Sequence, residues 1–447
     1  MKNFNLAFDP FITQKMMKLA IPTWMAFLSK DLLGIADMFF VSKLGPESIA
    51  AVSLCGIVLG IIFMIGHGIT SGTVATVSQA VGRQDSEASK KYSTQSIIVA
   101  FFCGLLISAI CIPLASDILR LVGADENVVA IGTPYLRVLA AVASIMLVIF
   151  SLETSIRGNN DANTPFKSML TANIVNIILD PILIYGWFGF PKMGVTGSAV
   201  ATLIAFLFAF SILSYSILFG KNKGRIVSRK YIKIDFEAVK KIWTIGIFSS
   251  GKMLISNIYA LFFMRLVASF GTIAVAAFGI GLRLRILIFG ASMGFGAAAS
   301  VLTGQFIGAG QIQKAKKAIY QNVVAISVIS AFLNILFFVF ATQIVRIFTD
   351  NAEVLAYGTD FLRWFSFSFV FMGASIVLGN AMDGAGYTKL PMLNNILGQI
   401  VIGLPTAYYF SSTFLGIKGV WLSLVLSQVF LMFFLIFDIR RNRWYRA

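Results

Sequence analysis

In a chain whose apolar runs recur from end to end, an aspartate stands out wherever it interrupts one. Asp180 does so in NIILDPILIY (176–185), where isoleucine and leucine surround the acid and Pro181 follows it. Asp37 does the same in GIADMFFVS (34–42). An acid at membrane depth costs roughly 2.5–3.5 kcal/mol on insertion scales unless it is paired, protonated or open to water, so both are read as functional. Asn176 precedes Asp180 by four residues and shares its helical face, and Ser198 and Thr202 are spaced alike. Pro181 donates no backbone hydrogen bond, which leaves a carbonyl free beside the acid. Two kinds of chemistry suit this set. Carboxyls held close in a low-dielectric cavity share protons and can load and unload them. Ionised, the same oxygens with amide and hydroxyl groups can hold a hard cation. Proton and sodium both stay open, sodium at Asp37, Asn176 and Asp180.

Other polar residues in apolar runs carry weaker signals. Tyr135 joins the coupling candidates, and Glu153 joins them at greater depth. Lys30 lies seven residues from Asp37 and next to Asp31, so it either pairs with a coupling acid or is neutralised by its neighbour. His67, flanked by glycines in IGHGIT, is a proton relay or a hydrogen-bonded packing residue. Lys252, Arg265, Arg283 and Arg285 lie in or near spans of the second half. Snorkelling accounts for Arg265. Lys252 and Arg283 are candidates for a relay or a substrate cavity. No transition-metal site is expected, since the single histidine and the three cysteines lack ligand spacing. No catalytic constellation or nucleotide-binding motif is present, which argues against an enzyme and against direct drive by ATP.

The elements that must position these residues are membrane helices. Of 447 residues 58% are hydrophobic and only 12% charged, with a mean hydropathy of +0.85. Apolar runs of about 20 residues recur, without the alternation of an outer-membrane barrel. Twelve spans are expected: 15–41, 49–80, 93–115, 128–156, 167–188, 195–219, 242–268, 274–307, 318–341, 354–382, 391–411 and 416–437. With the N-terminus inside, 24 basic residues fall on the cytoplasmic side against five opposite, so both termini are expected in the cytoplasm of a multi-pass cell-membrane protein. The same bias explains the net charge of +17 without nucleic acid. No cleavable leader is expected at the N-terminus.

The chain also repeats itself. Shifted by 226 residues, QAVG (79–82) falls on QFIG (305–308), GTPYLR (132–137) on GTDFLR (358–363), and Gly158 and Pro165 on Gly384 and Pro391. Near the ends the offset becomes 222, pairing GVTG (194–197) with GIKG (416–419). Six spans per repeat is an even number, so both halves face the same way. The expected fold is all-α: two parallel six-helix lobes related by a pseudo-twofold axis along the membrane normal, with substrate handled by alternating access. The lobes are expected at 1–219 and 242–447, joined by a basic cytoplasmic linker at 220–241. Under the repeat Asp37 falls on Phe263, Asp180 on Thr406 and Glu153 on Gly379, so the intramembrane acids are expected in the N-terminal lobe alone. Counting about 1.5 Å per residue, Asp37, Tyr135, Asp180 and Ser198 come out at a similar depth, some 5–15 Å below the outer surface.

Across essentially its whole length the chain resembles the multidrug and toxic compound extrusion (MATE) transporters. The resemblance rests on AIP (20–22), ADMFFVSKLGPESIAAVSL (36–54), QAVGRQD (79–85), IRGNNDANTP (156–165), NIVNIILDP (173–181) and GVTGSAVAT (194–202), together with the duplication. It implies export of bulky amphiphilic, often cationic organic compounds on a proton or sodium gradient, by a monomer in the lipid bilayer with no cofactor beyond the ion. Acids in the first and fifth helices look like the DinF-type branch, and the coupling residues carried over are Asp37, Tyr135, Asn176, Asp180 and Ser198, with Thr202 in reserve. The stretch WFSFSFVFMGASIVLGN (364–380) holds no acid where NorM-type members place one. The basic C-terminal lobe leaves room for zwitterionic or anionic substrates, or for a flippase of lipid-linked saccharides.

Overall fold

The computed structural model describes residues 8–442 and 444–445. Helices α1 (Pro10–Ser42), α2 (Pro46–Gly82) and α3 (Ser86–Cys111) are followed by a short α4 (Ala115–Leu121), then by α5 (Glu126–Gly158), α6 (Asn163–Tyr185) and α7 (Val195–Leu218). After a loop with one 3-10 turn the order repeats: α8 (Phe236–Ala268), α9 (Thr272–Gly308), α10 (Ile312–Val339), a short α11 (Ala341–Arg346) and α12 (Ala352–Gly384). The next span is broken into α13 (Lys389–Asn395), a π-helical segment Ile396–Gly403 and α14 (Leu404–Ser411), and α15 (Ile417–Arg440) ends the chain. No strand occurs among the described residues.

Helix bounds carry the duplication. Helices α8, α9 and α12 begin and end 226 residues after α1, α2 and α5, and the segment Lys389–Ser411 does so after α6. Helix α15 follows α7 by 222 residues. The boundary residues explain this. Gly45 and Gly271, one residue ahead of α2 and α9, both adopt a positive φ that few side chains tolerate. Gly194 and Gly416 do the same ahead of α7 and α15.

Each of the twelve expected spans falls on one helix or, at 391–411, on the α13–π–α14 run, but 93–115, 167–188, 195–219 and 318–341 overrun the ends of α3, α6, α7 and α10, and 416–437 starts one residue ahead of α15. Among the described residues ten helices have the length and apolarity to cross a membrane. The other two spans are α1, which carries Lys30, Asp31 and Asp37, and the broken run. There Pro405 removes an amide at the start of α14, and the π segment directly before it absorbs the disturbance.

The helices gather into two compact units, Met25–Gly246 and Met1–Trp24 with Ile247–Ala447. The boundaries fall inside α1 and α8, so each of those helices contributes to both units.

In the unit Met25–Gly246, α5 is the central helix and packs on α2, α3 and α7. Small residues set the crossings. A Cβ on Gly104 would strike the Ser144 backbone where α3 meets α5, and one on Gly197 would lie 2.6 Å from the Leu183 carbonyl where α7 meets α6. The 220–235 segment is docked on this unit and not loose. Gln95 Nε2 donates to the carbonyls of Tyr231 and Lys233 (both 2.7 Å), and Gln95 Oε1 accepts from the Asp235 amide (3.0 Å). Lys91 pairs with Asp235 at 2.5 Å, holding that carboxyl below its usual range. Ile226 is fully buried in the hydrophobic core. At the α5–α6 turn, Asp161 accepts from Thr164 (2.6 Å) and from Asn222 (2.9 Å). Burial alone would raise Asp161, but these hydrogen bonds and nearby Lys221 bring it below the usual range.

In the other unit α12 is the corresponding centre, packed on α9, α10 and α15. A Cβ on Gly384 would strike the Ser300 carbonyl where α9 meets α12.

Candidate functional site

The expected coupling residues gather within the unit Met25–Gly246. Asp37 lies five residues before the end of α1, Asp180 five before the end of α6, Tyr135 in the third turn of α5 and Thr202 in the third turn of α7. Asn176 and Asp180 are fully buried, Tyr135 is 7% exposed and Asp37 is half-buried. The Asp37 and Asp180 carboxyls interact directly, and Tyr135 lies within electrostatic reach of both. Neither Asp180 oxygen accepts a hydrogen bond from any described donor.

Asn176 links the acids to α7. Its amide is satisfied in one orientation: the nitrogen donates to Asp37 Oδ1 (2.8 Å) while the oxygen accepts from the Thr202 amide (3.2 Å) and hydroxyl (3.3 Å). The hydroxyl that reaches Asn176 is therefore that of Thr202. Ser198, one turn earlier on α7, is 2% exposed and makes no hydrogen bond to the acids among the described residues. Tyr185, which the sequence did not single out, donates to the Phe40 carbonyl (2.6 Å) and ties the end of α6 to α1 three residues past Asp37. Tyr135 and Cys55 share one buried apolar cluster beside the acids, and the Cys55 thiol donates to the Gly132 carbonyl (3.7 Å).

A second polar group lies deeper in the same unit. Lys30 Nζ stands over the Phe63 ring at 3.7 Å and the Phe150 ring at 5.6 Å. Its charge neighbours are Glu153 and then Asp31, but no ion pair within 4.0 Å forms with either among the described residues. Glu153 sits between the charges of Lys30 and Arg157, one turn apart from the latter on α5. Glu153 is not among the charges that act on Asp37 or Asp180. His67 is half-buried in α2, and its carbonyl accepts from the Thr70 hydroxyl (2.9 Å).

The other unit holds a buried acid of its own at a helix end: Asp383, in the last turn of α12, is 1% exposed and grips Lys252 of α8 through both oxygens (2.6 and 2.7 Å). Ser249 adds a third bond at 3.0 Å. The span expected at 354–382 ended one residue short of this acid. Under the 226-residue repeat Asp383 falls on Arg157, so a cation in one half is replaced by an acid in the other. Arg283 and Arg285 are exposed on α9 and have no acid partner within 4.0 Å among the described residues; Arg285 stands over Phe289 at 5.7 Å.

The equivalent of the carboxyl layer in this unit is aromatic. Phe263, Phe361 and Trp421 occupy the places of Asp37, Tyr135 and Ala199, and all three are buried. Phe361 and Trp421 meet edge to face at 4.5 Å, and Phe263 packs on Phe278 at 5.7 Å. At the place of Asp180, Thr406 spends its hydroxyl on the Ile402 carbonyl (2.7 Å). Among the described residues no cluster of three or more His, Cys, Asp or Glu could hold a metal ion.

Comparison with known proteins fits this arrangement. The MatE family model matches twice, at residues 22–182 and 249–409, once in each repeat. The chain is 28% identical over 426 residues to the probable multidrug resistance protein YoeA of Bacillus subtilis, covering 92% of each chain. It is 26% identical over 420 residues to the FAD transporter of Shewanella oneidensis, covering 94% of this chain and 92% of the relative. A solved structure described as the outward-facing conformation of a multidrug resistance MATE family transporter matches with a TM-score of 0.91 and 25% identity, over 100% of this chain and 99% of that one. With a family match in both repeats and this fold along its whole length, the chain belongs to the MatE family of multi-pass membrane transporters, multidrug efflux proteins and not enzymes.

Proposed function

We propose that the chain exports bulky amphiphilic organic compounds, typically cationic, by antiport against a cation, with the proton ahead of sodium. Asp37 and Asp180 are the coupling acids, Asn176 and Thr202 position them, and Tyr135 and Ser198 line the same layer. The observation that carries this reading is Asp180: fully buried, unsupported by any described donor, and set against a second carboxyl. Two carboxylates that close cannot both ionise cheaply, so one proton shared between them satisfies the pair. The Asn176 amide favours the proton over sodium, because its nitrogen faces Asp37 and its oxygen is occupied by Thr202. Few neutral oxygens then remain to complete a cation shell.

Coupling follows from linkage. A cationic substrate favours the form of the lobe whose acids are ionised, and a proton favours the form that has released the substrate. The exchange needs no cofactor other than the ion. The working unit is a monomer in the cell membrane, with the basic 220–241 linker on the cytoplasmic side. Functionally the lobes are 1–219 and 242–447, and Glu153 with Lys30 and His67 forms a deeper polar set available to relay the proton.

The test is efflux from liposomes with one gradient imposed at a time. A proton gradient is expected to drive export of a fluorescent amphiphilic cation, and a sodium gradient of equal size is not. Sodium-driven export with no response to protons would overturn the ion assignment.

A second substrate reading, export of zwitterionic or anionic metabolites, is favoured by the exposed Arg283 and Arg285, which have no acid partner among the described residues. Competition of that efflux by anionic and cationic compounds separates the two.

A further inference from the structure

The unit Met25–Gly246 carries an apolar groove of about 480 Å³ between α3, α5 and α7. Its walls include Phe101, Phe102, Val148, Leu152, Phe210 and Ile217, and it ends at Val227 in the docked 220–235 segment. The only polar side chains in the wall are Ser144 and Ser214. Phe101, Phe102 and Leu218 are each about half exposed along it, so the groove is open at the side. It runs along the last two turns of α7, from mid-helix to the end that meets the basic segment.

Apolar surface on a membrane helix meets lipid everywhere, so concavity alone selects nothing. Charge at one end does. Lys223 and Arg225 lie within four residues of Val227, are exposed, and make no ion pair among the described residues. Three acids of the docked segment and its surroundings are already paired: Asp161 with Lys221, Glu87 with Lys90 and Lys230, and Asp235 with Lys91. Tyr215 and Phe219, near the same end of α7, meet at a tilt 5.9 Å apart and are largely exposed, and an exposed tyrosine suits a membrane–water boundary. A slot for a chain therefore opens next to two unpaired cations at headgroup level.

We propose that this groove is a specific site for an anionic phospholipid of the leaflet on the linker side, with one acyl chain between α3, α5 and α7 and the phosphate group on Lys223 and Arg225. Three helices contact the chain from three sides, which a flat helix surface cannot do. The bound lipid ties the docked segment to the lobe that holds the carboxyl pair.

The test compares the purified full-length protein after exposure to vesicles of phosphatidylglycerol or of phosphatidylcholine with identical chains, reading retained lipid by native mass spectrometry. One retained lipid per protein is expected, with phosphatidylglycerol preferred about thirtyfold, the order two cations supply. The double variant Lys223→Gln/Arg225→Gln is expected to lose the preference and keep some lipid of either kind. Ser214→Trp, which fills the groove, is expected to lose both. Ser214→Leu gives a milder filling, and a thermal midpoint measured without added lipid shows that both variants are folded. Equal retention of the two lipids by the wild type overturns the proposal. So does retention that is indifferent to groove filling in a folded variant, or a dimer signal that disappears with Ser214→Trp, which would mean that a second copy covers the groove.

Discussion

Asp180 and Thr406 occupy one place in the repeat and have opposite fates. The threonine satisfies itself on the Ile402 carbonyl, whereas the aspartate has both oxygens unbonded and a second carboxyl against it. Replacing either acid by its amide is therefore expected to abolish gradient-driven export while leaving a folded protein. Asn176→Leu removes the link between Asp37 and Thr202, and export is expected to fall at least tenfold. Thr202→Val should be the more damaging of the α7 pair, and Ser198→Ala the milder, in the same efflux assay. The Lys252–Asp383 pair gives a prediction of a different kind. Removing one partner strands a buried charge, so Lys252→Met is expected to destabilise by about 3–5 kcal/mol, while Lys252→Met with Asp383→Leu returns close to wild type. Thermal unfolding in detergent checks both, and equal losses in the single and double variants would count against a buried pair.

At the scale of elements, close crossings mark where side chains cannot grow. Gly104→Ala would place a methyl against the Ser144 backbone, and a loss of about 1–3 kcal/mol is expected as α3 moves off α5. The docked 220–235 segment has a pH signature. Asp235 and Asp161 are both held below the ordinary carboxylate value of 3.8, so their contribution is complete above that value and is lost as pH falls through their folded values. Protection of this segment from proteolysis is expected to hold at neutral pH and fail only below about pH 4. Much of this level was legible in the sequence. The twelve spans follow from apolar runs, and the helix bounds follow from a repeat kept in register by turn glycines such as Gly45 and Gly271. The layer holding Asp37, Tyr135 and Asp180 followed from counting residues along helices. Contacts between helices were not legible. Asp383 lay one residue beyond an apolar window, and only its partner on α8 shows why it is tolerated. Thr202 and Ser198 share a face, so spacing could not decide which one reaches Asn176. The role of residues 220–235 as a docked strap depends on Gln95, which reads in the sequence as one more polar residue near a helix end.

For the whole molecule, the duplication has kept the frame and divided the chemistry. One half carries a carboxyl layer where the other carries Phe263, Phe361 and Trp421. Among the described residues the carboxyl pair of this level lies in the unit Met25–Gly246, and the central claim of the proposed function is that substrate and proton compete through Asp37 and Asp180. The most direct measurement is proton release on binding of a fluorescent amphiphilic cation to the purified protein in weakly buffered solution near neutral pH. Release of about one proton per bound cation is expected from the wild type. None is expected from Asp37→Asn or Asp180→Asn. Proton release of undiminished size from both variants would contradict the account.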